Sequence, residues 1–184
     1  MGNISKLIGI TAMMVLSSCG NSLEQAAKEK LGTLTETAEL GTVEYTITKI
    51  IKATDKAFYT IGDRKILFSS SATMKAGVDL EGFSAENITI NSKDKEITIH
   101  LPKPKILAFN MPPEQTKLEY EKVGALRFDF TAEERNNLLR QGEEAILADA
   151  KNIGILADAE RNARMFFEAM LSQVGFEKIN VVFN

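Results

Sequence analysis

Cysteine and histidine are nearly missing from this chain: Cys19 and His100 are the only ones among 184 residues. Two such side chains cannot supply the three or four ligands of an ordinary zinc centre, and a lone thiol closes no internal disulfide. The fold is therefore expected to rest on packing alone. Ready-made phosphate loops are absent too, since neither the P-loop nor the dinucleotide spacing occurs around Gly142 or Gly154. Ser69-Ser70-Ser71 lacks the flanking glycines of a nucleophile elbow, and no Asp-rich loop has EF-hand spacing. There is no excess of basic charge: 22 Lys and Arg face 25 Asp and Glu, a net charge of −3. That sign argues against nucleic acid or anionic lipid as a partner, because both reward clustered cations. No internal repeat or low-complexity tract is visible.

A long apolar run is missing as well. The stretch Leu7 to Leu16 follows Lys6 and precedes Ser17-Ser18-Cys19. As a helix it spans about 15 Å, half of a hydrocarbon core of about 30 Å, so it is too short for a stable transmembrane segment. A positive residue, a short apolar stretch and small residues in that order form a secretory leader. Leu16-Ser17-Ser18-Cys19 resembles the bacterial lipobox. The resemblance implies diacylglycerol on the Cys19 sulfur, cleavage after Ser18 and an acyl chain on the new amine. Gly2 is no myristoylation site, because Lys6 stands where Ser or Thr is required. The expected organisation is a cleaved leader over 1–18, a lipidated N-terminus and tether over 19–38, and a single domain over 39–184. Gly20 and Asn21 carry no acidic retention signal, which favours the outer membrane of a bacterial envelope over the inner one.

The region after the leader is polar and small as far as Ala38, with Leu23, Leu31 and Leu34 widely spaced, so a tether with a turn or two of helix around Glu24 to Lys30 is expected, the alternative being that it packs as part of the domain. Strand signals follow. Val43, Tyr45 and Ile47 alternate with threonines; Arg64 to Leu80 reads as one long strand, with Gly77 marking a bulge. Asn87 to Asn91 and Glu96 to Leu101 form a hairpin across Ser92-Lys93-Asp94-Lys95. Pro102 and Pro104 close that strand, Ile106 to Phe109 make a short apolar segment, and Gly124 to Phe130 alternates as a further strand. From Thr131 the period becomes helical. Thr131 and Glu134 fit a capping box, and Leu138, Leu139, Ala145, Ile146, Ala150 and Ile153 form the apolar stripe. Gly154 ends or bends this helix, a second runs from Ile155 to Val174, and Gly175 stops it with Phe176 over its last turn. Ile179, Val181 and Phe183 alternate as a last strand. Strands first, two helices packed on an antiparallel or mixed sheet, and a returning strand make an α+β fold.

Candidate chemistry is sparse. His100 shares a strand face with Glu96 and Thr98, and Asp79 interrupts an apolar run before the Glu81-Gly82 turn. Both read first as ordinary strand residues. An enzyme would need Asp79, His100 or helix carboxylates in one cleft, and no catalytic signature supports that, so no catalytic activity is expected. The acidic helix residues alternate with Arg135, Arg140, Arg161 and Arg164 as a solvated face does.

These pieces resemble a known family. Tyr45 to Ile51, Lys65-Ile66-Leu67-Phe68, Ala76-Gly77-Val78-Asp79-Leu80, Ile97 to Pro104 and the last helix leading into Gly175-Phe176 and Val181 are similar to the domain of unknown function 4230 family. Its members are often membrane-anchored at the N-terminus, and the resemblance implies no activity and carries over no functional residue; no cofactor is expected beyond the acyl chains on Cys19. The expected function is that of an envelope lipoprotein, membrane-bound through its lipid, whose non-catalytic domain binds a protein or glycan partner. The alternative is a carrier or sensor of a small apolar ligand, held in a pocket of Phe109, Met111, Phe166, Phe167 and Met170.

Overall fold

The structure, a computed structural model, describes residues 19–35, 39–55 and 62–184, so the expected leader over 1–18 lies outside it. In chain order the elements are α1 (Cys19–Thr35), β1 (Glu39–Asp55), β2 (Arg64–Asp79), β3 (Ile88–Asn91), β4 (Glu96–Leu101), β5 (Lys105–Asn110), β6 (Thr116–Lys122), α2 (Ala132–Asp149), α3 (Ile155–Val174) and β7 (Lys178–Phe183). The class is α+β. The strands divide into two sheets where one was expected. In the first, β1 pairs antiparallel with β2 from Glu39↔Asp79 to Asp55↔Arg64, and the other side of β2 is shared by β5 and β6. In the second, β3 and β4 form the expected hairpin, and β7 joins β4 in parallel from Glu96↔Lys178 to Leu101↔Phe183.

β2 reads as the sequence predicts, one strand with a strict alternation. The register slips opposite Gly77 and Ala76, but the extra residue lies in β1, between Gly41 and Val43, and not in β2 where the bulge was expected. There the Leu40 carbonyl comes so close that a Cβ at Gly77 would lie 2.1 Å from it. The buried face of β2 crosses three apolar clusters in turn. Ile66 and Phe68 meet Ile51 and Phe130; Ala72, Met74 and Ala76 meet Ile146, Ala150, Ile155 and Ala159; Val78 joins Ile97, Ile99, Phe167 and Leu171. Alanines at the middle contact let helix and sheet approach closely.

The helices obey their sequence signals. Thr131 and Glu134 complete the capping box at the start of α2, each side chain bonded to the other's backbone amide. α3 runs from Ile155 to Val174 as expected, and Gly175 ends it at a φ of 114°, in the left-handed region that a side chain would strain. The Gly175 and Phe176 amides both donate to the Leu171 carbonyl, and the Phe176 ring is buried over that turn. Ile153, expected on the α2 stripe, falls instead in the turn beyond Asp149, at the surface.

Two further expectations are overturned. Gly124 to Phe130 is not a strand; Leu126 and Phe128 alternate, yet they face solvent in an irregular loop with no ladder partner. The strand lies just upstream as β6, whose two apolar residues, Leu118 and Tyr120, fall opposite Phe68 and Leu67 on different faces because the register shifts between them, so no alternation marks it in sequence. The second correction concerns the N-terminal region. Residues 19–35 are helix, not a tether with a turn or two of helix: Ala27 and Leu31 are buried at 0% and 2% exposure, with Leu23 and Leu34 packed beside them. Leu23, Ala27, Leu31 and Leu34 recur at intervals of four, four and three, one helix stripe in which a small alanine hides the rhythm.

Leu31→Ala tests that correction directly. A tether residue would change stability by less than about 0.5 kcal/mol, whereas a leucine in the core is expected to cost about 2–5 kcal/mol in a urea unfolding measurement.

Candidate functional site

The residues singled out in the sequence are not brought together. Cys19 opens α1, and its side chain lies outside the described part. Asp79 ends β2, where its Oδ1 accepts the Glu81 amide at 2.8 Å and its Oδ2 the Lys105 ammonium at 2.6 Å. Lys105, then the turn amide, hold its carboxyl below the usual range. His100 is in the other sheet, on the face expected for it, with Nδ1 3.1 Å from the Asn184 side-chain amide. Each is satisfied by its own neighbours. The apolar pocket fares no better: Phe109 and Met111 belong to the middle cluster, Phe167 and Met170 to the one beneath the second sheet, and Phe166 is exposed, its ring edge-on to Phe167 at 5.4 Å. The five side chains therefore fall in two separate clusters and at the surface. Met111 also borders an open groove of about 300 Å³ between the β5–β6 connection and α2, lined with it by Pro113, Thr116, Leu139, Arg140 and Glu143.

The densest polar cluster is one that sequence reasoning missed. At the end of the first sheet, Arg64 donates to both oxygens of Glu134, at 2.7 and 3.2 Å, and to Asp55 at 2.7 and 3.1 Å. Its guanidinium lies 4.5 Å from the centre of the Phe130 ring. Arg127 reaches the same Asp55 oxygen, and Arg135 donates to both oxygens of Glu121 and to the Phe130 carbonyl. The planar fork of arginine allows this, engaging two carboxylates and an aromatic face together. Arg64, and to a lesser degree the Thr131 amide, pull the Glu134 carboxyl from its ordinary 4.5 down to about 2. Arg64, followed by Arg127, also holds Asp55 low.

The cluster joins β1, β2, β6, the 123–130 loop and the first turn of α2. Gly62 and Gly124 add a backbone contact in which a Cβ on Gly62 would stand 2.8 Å from the Gly124 Cα. The Gly124 amide donates to the Asp63 carbonyl. The loop so pinned presents Phe128 at 91% exposure and Leu126 at 69%. A fixed loop holding two large apolar side chains in water is the arrangement expected of a contact surface. Only Glu134 carried a signal in sequence, as the capping residue; the others look like scattered surface charge. Arg164, read as solvated, likewise bonds the Val181 carbonyl and covers the Phe183 ring, tying α3 to β7.

Among the described residues no group of three or more His, Cys, Asp or Glu side chains could hold a metal ion. A family model described as protein of unknown function, DUF4230, matches residues 33–181. The chain belongs to this family. No curated protein and no solved structure matches it. The family match begins near the end of α1, although Ala27 and Leu31 just before it are core residues of this DUF4230 member.

Because the folded Glu134 carboxyl titrates near 2 and an unfolded one near 4.5, its contribution to stability is complete above 4.5 and disappears as the pH falls towards 2. Glu134→Gln keeps the capping hydrogen bonds and removes the charge. Thermal midpoints measured across that window should fall less steeply for the variant than for the parent chain.

Proposed function

We propose that this protein is a bacterial envelope lipoprotein, held by acyl chains on Cys19, whose single non-catalytic domain binds a protein partner through the 123–130 loop. The observation that carries the reading is the pinned loop with Phe128 and Leu126 in solvent, fixed by Arg64, Asp55 and Arg127. The sequence order of Lys6, apolar stretch, small residues and Cys19 supports the anchor. No helix among the described residues is long and apolar enough to cross a membrane. Several acyl chains, at about 0.8 kcal/mol per buried methylene, would hold the domain durably.

The attachment would be short. α1 begins at Cys19, and Leu23, one turn later, already lies against Gly175 at the end of α3. The end of the domain containing α1, the second sheet and Val78 would therefore stand next to the bilayer. The Phe128 loop lies at the other end of β2. Thirteen residues separate Lys65 from Val78, roughly 40 Å at the rise of a strand. The loop would be displayed away from the anchoring membrane, towards whatever occupies the space beyond.

The anchor and the loop are tested separately. Cys19→Ser should release the protein from the membrane fraction and abolish the acyl mass on the mature N-terminus; a variant that stays membrane-bound with unchanged mass would end the lipoprotein reading. Phe128→Ser should leave stability within about 0.5 kcal/mol. A photo-crosslinking residue at position 128 should yield a discrete protein adduct in cells that one at the exposed Val182 does not, and Leu126→Ser should abolish it.

A further inference from the structure

The face of the first sheet turned away from the helices carries a basic patch that the overall charge conceals. Ile66, Phe68 and Ser70 point into the core, so Lys65, Leu67 and Ser69 point outward. The register aligns their outward neighbours in three rows: Ile50, Ser69 and Lys117; Lys52, Leu67 and Tyr120; Thr54, Lys65 and Lys122. Strand spacings make this grid roughly 13 by 10 Å. It holds four exposed lysines and no carboxylate; the neighbouring acids Asp55 and Glu121 pair with Arg64 and Ile66 on the opposite side and are held by Arg64 and Arg135, and Glu119 is the extra residue of the bulge opposite Leu67 and Phe68. None of the four lysines forms an ion pair within 4.0 Å among the described residues, whereas Lys28, Lys49, Lys95 and Lys105 each do. Lys65 and Lys122 stand directly opposite each other, a like-charge pair that costs stability. In a chain with more acids than bases, four uncompensated cations on one face point to an anion that joins them from outside.

We propose that this face binds an acidic glycan, a polymer of sugars bearing carboxylate or phosphate groups. The middle row places the half-exposed Tyr120 ring and Leu67 between the lysines, a platform for the apolar face of a sugar with cations at its edges. Outward hydroxyls of Ser69, Thr54, Thr48 and Ser71 continue the surface, the last two bonded to each other at 2.8 Å. The face is open, so a polymer touching several lysines at once is retained where a single small anion is not. Lysines act as separate point charges and suit charges spaced along such a chain. The preference for a glycan over the anchoring bilayer rests on the lipoprotein reading: roughly 30 to 40 Å of β2 separates the rows of the grid from the anchored end, against a screening length of about 8 Å. The anion site itself does not depend on it.

The purified chain, in the form the cell makes, is titrated with alginate, neutral dextran, polyglutamate and phosphatidylglycerol vesicles. Alginate should bind at low salt and be released by high salt, and dextran should not bind. Lys65→Glu places opposite charges across the Lys122 pair, so it should raise the thermal midpoint while weakening alginate by about tenfold or more. Tyr120→Ala should weaken alginate and leave polyglutamate unchanged. Absence of alginate binding, or equal binding by Lys65→Glu, overturns the site. Equal loss of polyglutamate and alginate in Tyr120→Ala, or protection of Lys65 and Lys122 from acetylation by vesicles but not by alginate, replaces the glycan with an acidic protein or a lipid surface. Acyl mass on Cys19 is read separately, so failure of the anchor and failure of the site are distinguishable.

Discussion

Strand β2 buries Ile66, Phe68, Ser70, Ala72, Met74, Ala76 and Val78 on one face and sends the residues between them to the other, and every layer of the molecule is placed by that alternation. A slip of one residue would turn the core side chains into solvent and the lysines inward, so register is strongly specified. The one polar member of the buried face, Ser70, is matched by a 2.7 Å hydrogen bond to Thr116. No buried side-chain polar atom among the described residues is left without a partner.

Because β2 passes through three apolar clusters, each region of the fold leans on it separately. α1, α3 and the second sheet share the cluster at one end; the middle is sealed by alanines and Ile146; at the other end the core narrows to Ile51, Ile66, Phe68 and Phe130. There the apolar contact is smallest, and the ion-pair cluster of Arg64, Asp55, Glu134 and Arg127 supplements it with directional bonds. Partly exposed ion pairs contribute little individually, so the shared guanidinium of Arg64 matters mainly for geometry: it sets the position of the 123–130 loop.

The fold thus has unlike ends and unlike faces. One end gathers α1 and the returning strand β7, and the other displays Leu126 and Phe128. One face of the first sheet is covered by helices, and the other is bare, hydroxyl-rich and cationic. A net charge of −3 gives no hint of this, since net charge sums over positions that folding separates. A net negative charge disfavours anionic partners for the chain as a whole and not for one face of it.

Local rules were legible wherever one segment carried its own signal. The Thr131–Glu134 box, the limits of α3, the Gly175 stop, the β3–β4 hairpin and the alternation of β2 all follow from neighbours in sequence, through orphan amides, steric limits on φ and the two-residue pleat. Pairing across the chain decided the rest. Whether β6 or the 124–130 stretch became a strand depended on which could reach the open edge of β2, and the division into two sheets depended on β4 pairing with a strand more than seventy residues away. The Arg64 cluster draws on five separate segments, and the lysine grid on three strands; neither exists until register sets side chains of distant sequence a few ångströms apart. Sequence determined the pieces and their caps because those depend on interactions within a turn or two. Only the tertiary structure decided which surfaces those pieces leave uncovered, because exposure belongs to the packed whole.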